Sequence, residues 1–363
     1  MTTVLRSSKT RAALAIASAG AMVAAGMAAG LPTASAKSAG ETYGGLDGPR
    51  GVAIAQNGKL VVAQADGTIS RIVRRGSHRG DVVKIGKVPD TGLAPSVDIN
   101  KRGHIFALTT DGEHKGRATL FRFASGHRKM VANIGKYQKH DPDPFDLEDN
   151  PTESNPYGVA ALDDGTVLVA DAAGNDLLRV WPNGNVRTVA RVKPRMVTSP
   201  DLGPEGPPAG TRMPTEAVVT SVTVGSDGFY YIGELRGFPG NPGKSQIWRI
   251  RPGAKNAVCN PARPNKGACK RHADGLTSVV DLGAGPHGTI YALELSKMGW
   301  LAMEMGTPGA EIGALIKLGR NTSVRRELAE GQLVIPGGLE VDKHNHVWAT
   351  MPMFGPGAVM RVN

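Results

Sequence analysis

Apolar and polar positions along the chain follow one short pattern that returns six times. Each copy has an apolar anchor, a Gly or Asn six positions later, and then a run rich in β-branched and aromatic residues. The anchors are Val52, Val97, Val159, Val222, Leu282 and Leu339, and the matching turn residues are Gly58, Gly103, Gly165, Gly228, Gly288 and Asn345. Gly and Asn tolerate the positive φ of tight turns, so each copy predicts a β-hairpin.

A third apolar run follows each hairpin, as in ISRIV at 69–73 and QIWRI at 246–250. No long stretch has the i, i+3, i+4 spacing of an amphipathic helix, and Gly (48) and Pro (25) are abundant. Six meander units, with anchors 45–63 residues apart, predict an all-β, six-bladed β-propeller with four antiparallel strands in each blade. A β-sandwich, the rival architecture, does not predict one hairpin signature that returns six times.

The last copy of the pattern ends at Asn363 after its third strand, so it lacks a fourth, outer strand. Residues 41–46 precede the first anchor and could supply that strand. We expect this N-terminal strand to join the last blade and close the ring, because closure protects an open sheet edge. Residues 37–363 are accordingly predicted to form a single propeller domain.

The first 36 residues have the composition of a targeting segment. A basic stretch at 1–11 contains no acid, an Ala/Gly/Met-rich apolar run follows at 12–31, and A-S-A stands at 34–36. This order predicts a cleaved secretory signal peptide, and an N-terminal membrane anchor is the alternative. No later segment is apolar over the roughly 18 residues that a span needs, so we expect a secreted or cell-envelope-associated protein without a membrane span after cleavage.

Two cysteines, Cys259 and Cys269, lie close together in the segment CNPARPNKGAC. Two nearby cysteines in an exported protein most often pair, so we predict a disulfide that pins a local excursion of the chain. A metal site is the weaker interpretation, because no second Cys/His pair with zinc-type spacing lies nearby.

The formal net charge is +11, yet the stretch DPDPFDLEDNPTESNPYGV at 141–159 concentrates acids. In a propeller, the loops that join blades and the loops that follow the second strand of each blade emerge on the same face. The acidic stretch is a joining loop of this kind, and Asp171, Glu234 and Glu294 end three of the second strands. The predicted ligand or partner surface, here called the acidic face, comprises Asp146, Glu148, Asp149, Asn155, Asp171, Glu234, Glu294 and Trp300.

Carboxylate oxygens are ligands that Ca²⁺ prefers, so Asp171, Glu234 and Glu294 are the candidate metal ligands and Ca²⁺ is the one candidate cofactor. No EF-hand motif accompanies them. Two alternatives stay open: the acidic loop is a hydrated connector, and the strand-end acids cap N–H groups of the next turn. The apolar segment 296–313, which contains Trp300, either lines a pocket or packs over the channel mouth.

No catalytic residue is assigned, because the chain contains neither a G-x-S-x-G nucleophile elbow nor an H-E-x-x-H motif. The segment GAGPHG at 283–288 matches G-x-G-x-x-G only formally, since a strand rather than a helix follows it. An exported chain without a basic-aromatic motif does not indicate nucleic-acid binding. We expect a monomer whose partner is a small molecule, a protein or the cell envelope.

Four segments give the chain a family resemblance: LDGPRGVA (46–53), ESNPYGVA (153–160), TSVTVGSDGFYYIGEL (220–235) and DLGAGPHGTIYALEL (281–295). They resemble the ScyD/ScyE family of exported bacterial β-propeller proteins, and the resemblance covers nearly the whole of 40–363. It implies an exported six-bladed propeller and brings no catalytic mechanism with it. The repeat itself is shared with NHL-type propellers and with gluconolactonase-like and strictosidine-synthase-like enzymes.

Two functional hypotheses follow from these observations. The first is an exported, non-catalytic binding or scaffold propeller whose site lies on the acidic face at the channel mouth. The alternative is a Ca²⁺-dependent hydrolase or lactonase, similar to the gluconolactonase-like and strictosidine-synthase-like enzymes, that acts on a small molecule. In that case the metal would polarise a carbonyl or activate water.

Overall fold

Six mainly antiparallel sheets and one separate two-stranded hairpin are present in the computed structural model, which describes residues 40–111, 116–204, 206–320 and 322–363. The predicted signal peptide at 1–36 lies outside the described residues. Helix is confined to short segments in the described ranges, mainly α1 (Ile134–Gln138) and α2 (Trp300–Glu304). None of the helices described there has the length and apolar character needed to cross a bilayer.

Each sheet is one blade, and the first three blades follow one another along the chain. Strand β1 (Thr42–Asp47) precedes blade one. Blade one contains β2 (Val52–Ile54), β3 (Leu60–Ala63), β4 (Thr68–Ile72) and β5 (Val82–Lys87). Blade two contains β6 (Ser96–Ile99), β7 (Ile105–Leu108), β8 (Thr119–Ala124) and β9 (His127–Asn133). Blade three contains β10 (Pro156–Ala161), β11 (Val167–Asp171), β12 (Asp176–Val180) and β13 (Val186–Val192).

A separate two-stranded hairpin, β14 (Arg195–Thr198) with β15 (Arg212–Thr215), joins blade three to blade four. Blade four contains β16 (Val219–Val224), β17 (Tyr230–Glu234), β18 (Ser245–Ile250) and β20 (Cys269–Leu276), with β19 (Ala257–Cys259) between the last two in sequence. Blade five contains β21 (Val279–Ala284), β22 (Ile290–Glu294), β23 (Ala314–Leu318) and β24 (Arg325–Leu328). Blade six contains β25 (Gly338–Val341), β26 (Val347–Met351) and β27 (Pro356–Arg361).

The first strand of each blade contacts the first strand of the next, and β25 contacts β2, so the sheets close into a ring around a central channel. All six predicted anchors are buried in these strands. All six predicted turn residues adopt positive φ, between 63° and 87°. Apolar side chains fill the space between neighbouring blades, as where Leu168 of blade three and Trp248 of blade four share one cluster. The prediction of an all-β, six-bladed propeller is confirmed.

Blade six is completed by the N-terminal strand, as the sequence predicts. Strand β1 pairs antiparallel with β27, with Thr42 opposite Met360. Tyr43 and Leu46 point inward and are buried, and the Tyr43 ring stacks on Trp348 with centroids 6.4 Å apart. The outer strand of the last blade is therefore held by packing as well as by backbone hydrogen bonds.

The predicted disulfide between Cys259 and Cys269 is present. Its two ends belong to different blades, because β19 adds to blade three as a parallel fifth strand beside β13, whereas β20 is the outer strand of blade four. The bond therefore ties two neighbouring blades together, which is more than the local pinning that the spacing of the cysteines indicates.

Replacing Leu46 by Ala is expected to lower the free energy of unfolding by about 2–5 kcal/mol, because it removes a buried side chain from the strand that closes the ring. Leu46 is 2% exposed. Thr42→Ala, an exposed position in the same strand, is the matched control and should change stability little. Urea unfolding monitored by tryptophan fluorescence measures both, and equal effects from the two variants would contradict the closure by packing.

Candidate functional site: the central channel

The acids of the predicted acidic loop are largely engaged within the loop itself. Asp143 is buried and accepts hydrogen bonds from the backbone N–H of Phe145 (2.8 Å) and from the Asn175 side chain (3.1 Å). Asp146 accepts from the backbone N–H of Asn150 at 3.0 Å. These contacts are those of the connector alternative, in which the acids shape the loop.

The remaining loop residues of the acidic face differ in their exposure. Asn155 is buried and its side-chain oxygen accepts from the backbone N–H of Asp111 at 3.2 Å. Glu148 is half-buried, and Asp149 is exposed with a φ of 60°. Of this group, Asp149 is the residue that stands open to solvent.

The three candidate metal ligands are buried, and each is used by its own surroundings. Asp171 accepts from the Ser154 hydroxyl at 2.6 Å and from the backbone N–H of Asn155 at 2.7 Å. Glu234 pairs with Arg236 and accepts from the Trp248 indole, and Glu294 accepts from the backbone N–H of Thr277. Burial raises the pKa of all three carboxyls, that of Glu294 to about 7.

The structure does not assemble these carboxyls into one centre. They end the second strands of three different blades, β11, β17 and β22. In the part of the chain that is described, no group of three or more His, Cys, Asp or Glu side chains could hold a metal ion. The tentative Ca²⁺ assignment to Asp171, Glu234 and Glu294 therefore has no geometric support here. Of the three, Asp171 accepts an N–H group from the turn that follows its strand, at Gly174, whereas the partners of Glu234 and Glu294 lie in other segments.

Trp300 packs over the channel rather than lining an open pocket. It is 2% exposed, and its indole N–H donates to the backbone carbonyl of Arg236 at 2.8 Å. Met303 of the same helix, α2, is buried beside it. The apolar cluster that they join brings in Leu93, Tyr157, Val218, Val280, Ile335 and Met353 from several blades. This cluster covers the channel on the acidic face.

Beneath that cluster the channel contains a cavity of about 290 Å³. Residues from the first strands of all six blades line it. The lining runs from Arg50 and Tyr157, next to the apolar cluster, to Gln56, Lys101 and Asp163 at the hairpin turns. The cavity therefore extends toward the face opposite the acidic face, here called the hairpin face.

Arg50 forms one end of the cavity and joins four blades. It is 3% exposed, and its guanidinium lies 3.6 Å from the centroid of the Tyr157 ring. The guanidinium donates to the backbone carbonyls of Tyr157 and, at 2.9 Å, of Ala94. The Thr350 hydroxyl donates to the carbonyl of Arg50 at 2.7 Å. The residue thus connects the starts of blades one, two and three with blade six.

Two channel carboxylates bridge neighbouring blades. The first strand of each blade has one edge without a strand partner, and backbone N–H groups on that edge need acceptors. Asp98 of β6 accepts from the N–H of Ala161 in β10 at 2.6 Å. Asp281 of β21 accepts from the N–H of Leu339 in β25 at 2.7 Å. Both acids therefore have a structural role at the edges that face the channel.

Glu340 is the third channel carboxylate and the least engaged. One of its oxygens accepts from the backbone N–H of Val341 at 2.7 Å. Its other oxygen has no hydrogen-bond partner among the described residues. Burial, and then the charges of Asp98 and Asp281, raise the pKa of Glu340 well above its usual value.

The other two carboxyls are shifted in the same direction. Burial raises the pKa of Asp98 to about 6 and that of Asp281 to about 7, although the backbone hydrogen bonds they accept act against the shift. The charge of Asp98 adds to the pKa shift of Asp281, and both charges add to that of Glu340, so a positive charge placed near these carboxyls would be stabilised.

Two buried polar atoms beside the cavity also lack partners. The hydroxyl of Tyr157, which is 1% exposed, makes no hydrogen bond of good geometry within the described ranges. Nε of Arg50 is likewise buried without a partner there. Buried polar groups are almost always satisfied in native proteins, so a polar ligand at this end of the cavity would gain hydrogen bonds from these two atoms.

The channel acids were missed by the sequence analysis, although a signal for them exists. Asp98 and Glu340 directly follow their anchors, where the other copies of the pattern have small or neutral residues. Asp281 directly precedes its anchor, where the other copies have Gly or Ser. Superposing the six copies position by position would have exposed these substitutions. No local pattern marks Arg50.

Comparisons with known proteins support the fold and leave the family open. A scan against protein-family models gives no match, and a search of curated proteins finds no significantly similar sequence. The ScyD/ScyE resemblance therefore stays a prediction.

Among solved structures, the chain is similar to a gluconolactonase from Xanthomonas campestris, with a TM-score of 0.54 and 10% identity over 89% of this chain and 90% of that one. It is also similar to the PQQ-bound aldose sugar dehydrogenase from Streptomyces coelicolor, with a TM-score of 0.52 and 13% identity over 89% and 98%. Virginiamycin B lyase from Staphylococcus aureus matches with a TM-score of 0.48 and 16% identity over 89% and 98%. At these identities, the likeness to the gluconolactonase and to the aldose sugar dehydrogenase shows a shared propeller fold and nothing about chemistry.

Thermal stability is expected to rise as the pH falls from about 8 to about 5.5. A carboxyl whose pKa is higher in the folded state than in the unfolded state binds its proton more tightly when the protein is folded. Its stabilising effect is therefore present at low pH and is lost as the pH rises through the folded pKa. For Asp98 and Asp281 that loss falls at about pH 6 to 7. His272 opposes this trend, because burial lowers its pKa to about 4 and it therefore disfavours folding below its usual pKa.

The measurement is the melting temperature across that pH range for the wild type and for Glu340→Gln, which removes one carboxyl whose pKa is raised. The variant should show a shallower dependence on pH. A wild-type protein that melts at a higher temperature at the alkaline end would contradict the assignment.

Proposed function

We propose that the protein is an exported, non-catalytic binding propeller of the ScyD/ScyE type whose ligand site is the central channel. The observation that carries this proposal is the cavity in which three carboxylates from different blades converge beside two unpartnered polar atoms. The site predicted from the sequence lay at the channel mouth on the acidic face. The proposal places it within the channel, approached from the hairpin face.

The charge of the channel favours a small cation with hydrogen-bond donors. Asp98 and Asp281 are held by backbone N–H groups, so their positions are fixed before any ligand binds. Glu340 keeps one oxygen for a ligand, and a protonated amine can donate to it while the charges of Asp98 and Asp281 attract the amine from further away. Because the carboxyls do not form a metal-binding group, an organic amine suits the site better than a directly coordinated metal ion.

Putrescine and spermidine are the probes for this proposal. Ca²⁺ alone is the probe for the metal-dependent alternative. We expect saturable amine binding by calorimetry, weakened at least about tenfold by Glu340→Gln through loss of a charge-assisted contact. Glu330→Gln removes an exposed acid and is the matched control, expected to leave affinity unchanged.

Binding should also release protons near neutral pH, because a bound cation lowers the raised pKa values of the channel acids. Calorimetry in two buffers of different ionisation enthalpy measures that release, and affinity should increase with pH. Absence of saturable amine binding, or equal affinities for wild type and Glu340→Gln, would overturn the proposal. Tight binding of Ca²⁺ alone would favour the metal-dependent alternative.

A hydrolase is the second candidate, and one observation favours it. Asp281 and Glu340 line the same cavity as Tyr157, and the pKa of Asp281 is raised to about 7 and that of Glu340 well above its usual range. Groups of this kind can exchange protons with a substrate at neutral pH. Turnover in a screen of lactones and esters that is lost in Glu340→Gln would establish this function, and EDTA would report any metal requirement.

A further inference from the structure

A second concave surface lies on the hairpin face between blades four and five, away from the channel. This groove has a volume of about 500 Å³. Its walls are the turns between the first and second strands of the two blades. These turns are joined to each other where the backbone N–H of Gly288 donates to the Ser226 hydroxyl at 2.9 Å. Its floor is formed by Tyr231 and His272, whose rings meet edge to face with centroids 4.9 Å apart.

One charged pair in the groove is already satisfied. Asp227 accepts from the Arg249 guanidinium at 2.9 and 3.0 Å and from the Tyr231 hydroxyl at 2.9 Å. The same guanidinium lies 3.2 Å from the centroid of the Phe229 ring. This pair contributes a fixed, rigid wall without leaving a free charge.

Two other groups in the groove are not satisfied. Nε2 of His272 is buried and has no hydrogen-bond partner in the described ranges. Arg320, which lines the groove beside Gly288, is exposed to solvent and makes no ion pair or hydrogen bond with any described residue, so its guanidinium is available to a ligand. Since the charges of Asp227 and Arg249 cancel, Arg320 gives the groove a net positive charge.

We propose that this groove binds an oxyanion, such as the carboxylate or phosphate group of a small molecule. The planar guanidinium of Arg320 offers two parallel N–H donors that match the oxygens of such a group. His272 adds no charge near pH 7, because burial lowers its pKa to about 4, and its ring forms part of the groove floor beside the bound anion. The groove lies outside the channel and does not depend on the amine site.

The test is an NMR titration of the folded protein with inorganic phosphate, sulfate and glucuronate, with glucose as the uncharged comparison. Binding should shift the His272 ring signals saturably and raise the pKa of His272, because a nearby anion favours its charged form. Glucuronate binding more tightly than phosphate would identify an acidic sugar as the source of the anion. The reverse order would identify a free or esterified phosphate.

Arg320→Gln should weaken binding about tenfold or more. Arg326→Gln, which removes an exposed cation from the outer strand of the same blade, should leave binding unchanged. The melting temperature of His272→Gln shows whether that variant folds. If it does not fold, the test relies on Arg320→Gln alone. Equal affinities of the wild type and Arg320→Gln, equal effects of the two arginine variants, or shifts that never saturate would overturn the proposal.

Discussion

The innermost strand of every blade has one edge without a strand partner, and satisfying those six edges around a narrow channel is the constraint on which the structure depends. Asp98 and Asp281 meet it by accepting N–H groups across the gap to the next blade. Arg50 meets it at one end by donating to carbonyls of two other blades. Charged groups are costly to bury unless they are hydrogen-bonded, which explains the raised pKa values of the acids. The side chains that hold the ring together therefore also make the channel acidic.

The fold could be predicted from the sequence because its information is local and repeated. Positions such as Gly228 and Asn345 require positive φ within their own hairpins, and nothing distant can alter that requirement. The site could be predicted only in part. The end of the second strand was correctly recognised as a place for acids, but the use of Asp171 depends on Ser154 and on other residues brought in by the preceding loop. Such partners are set by tertiary packing, which a single sequence does not display.

The concentration of acid in the loop before blade three is explained by the loop's own construction. Asp143 accepts a hydrogen bond from the Asn175 side chain, which connects the loop to blade three. The backbone N–H of Leu147 donates to Glu216 at 2.7 Å, which connects the loop to the segment before blade four. Trp300 and its apolar neighbours cover the same face. Two concave surfaces with unsatisfied polar atoms, the channel and the groove, reach the opposite face. We infer that recognition by this propeller takes place where the hairpins turn.

The pairing of β1 with β27 has a consequence for how the molecule is made. These strands are separated by almost the entire described chain, so blade six remains incomplete until the last of its residues has left the ribosome. Early blades can form sheets, but the circle stays open, and contacts of such long range form slowly. For a chain that is exported as proposed, this delay is useful. If the chain is exported, a ring that stays open during synthesis leaves the polypeptide free to pass through a translocation pore before its last blade is completed.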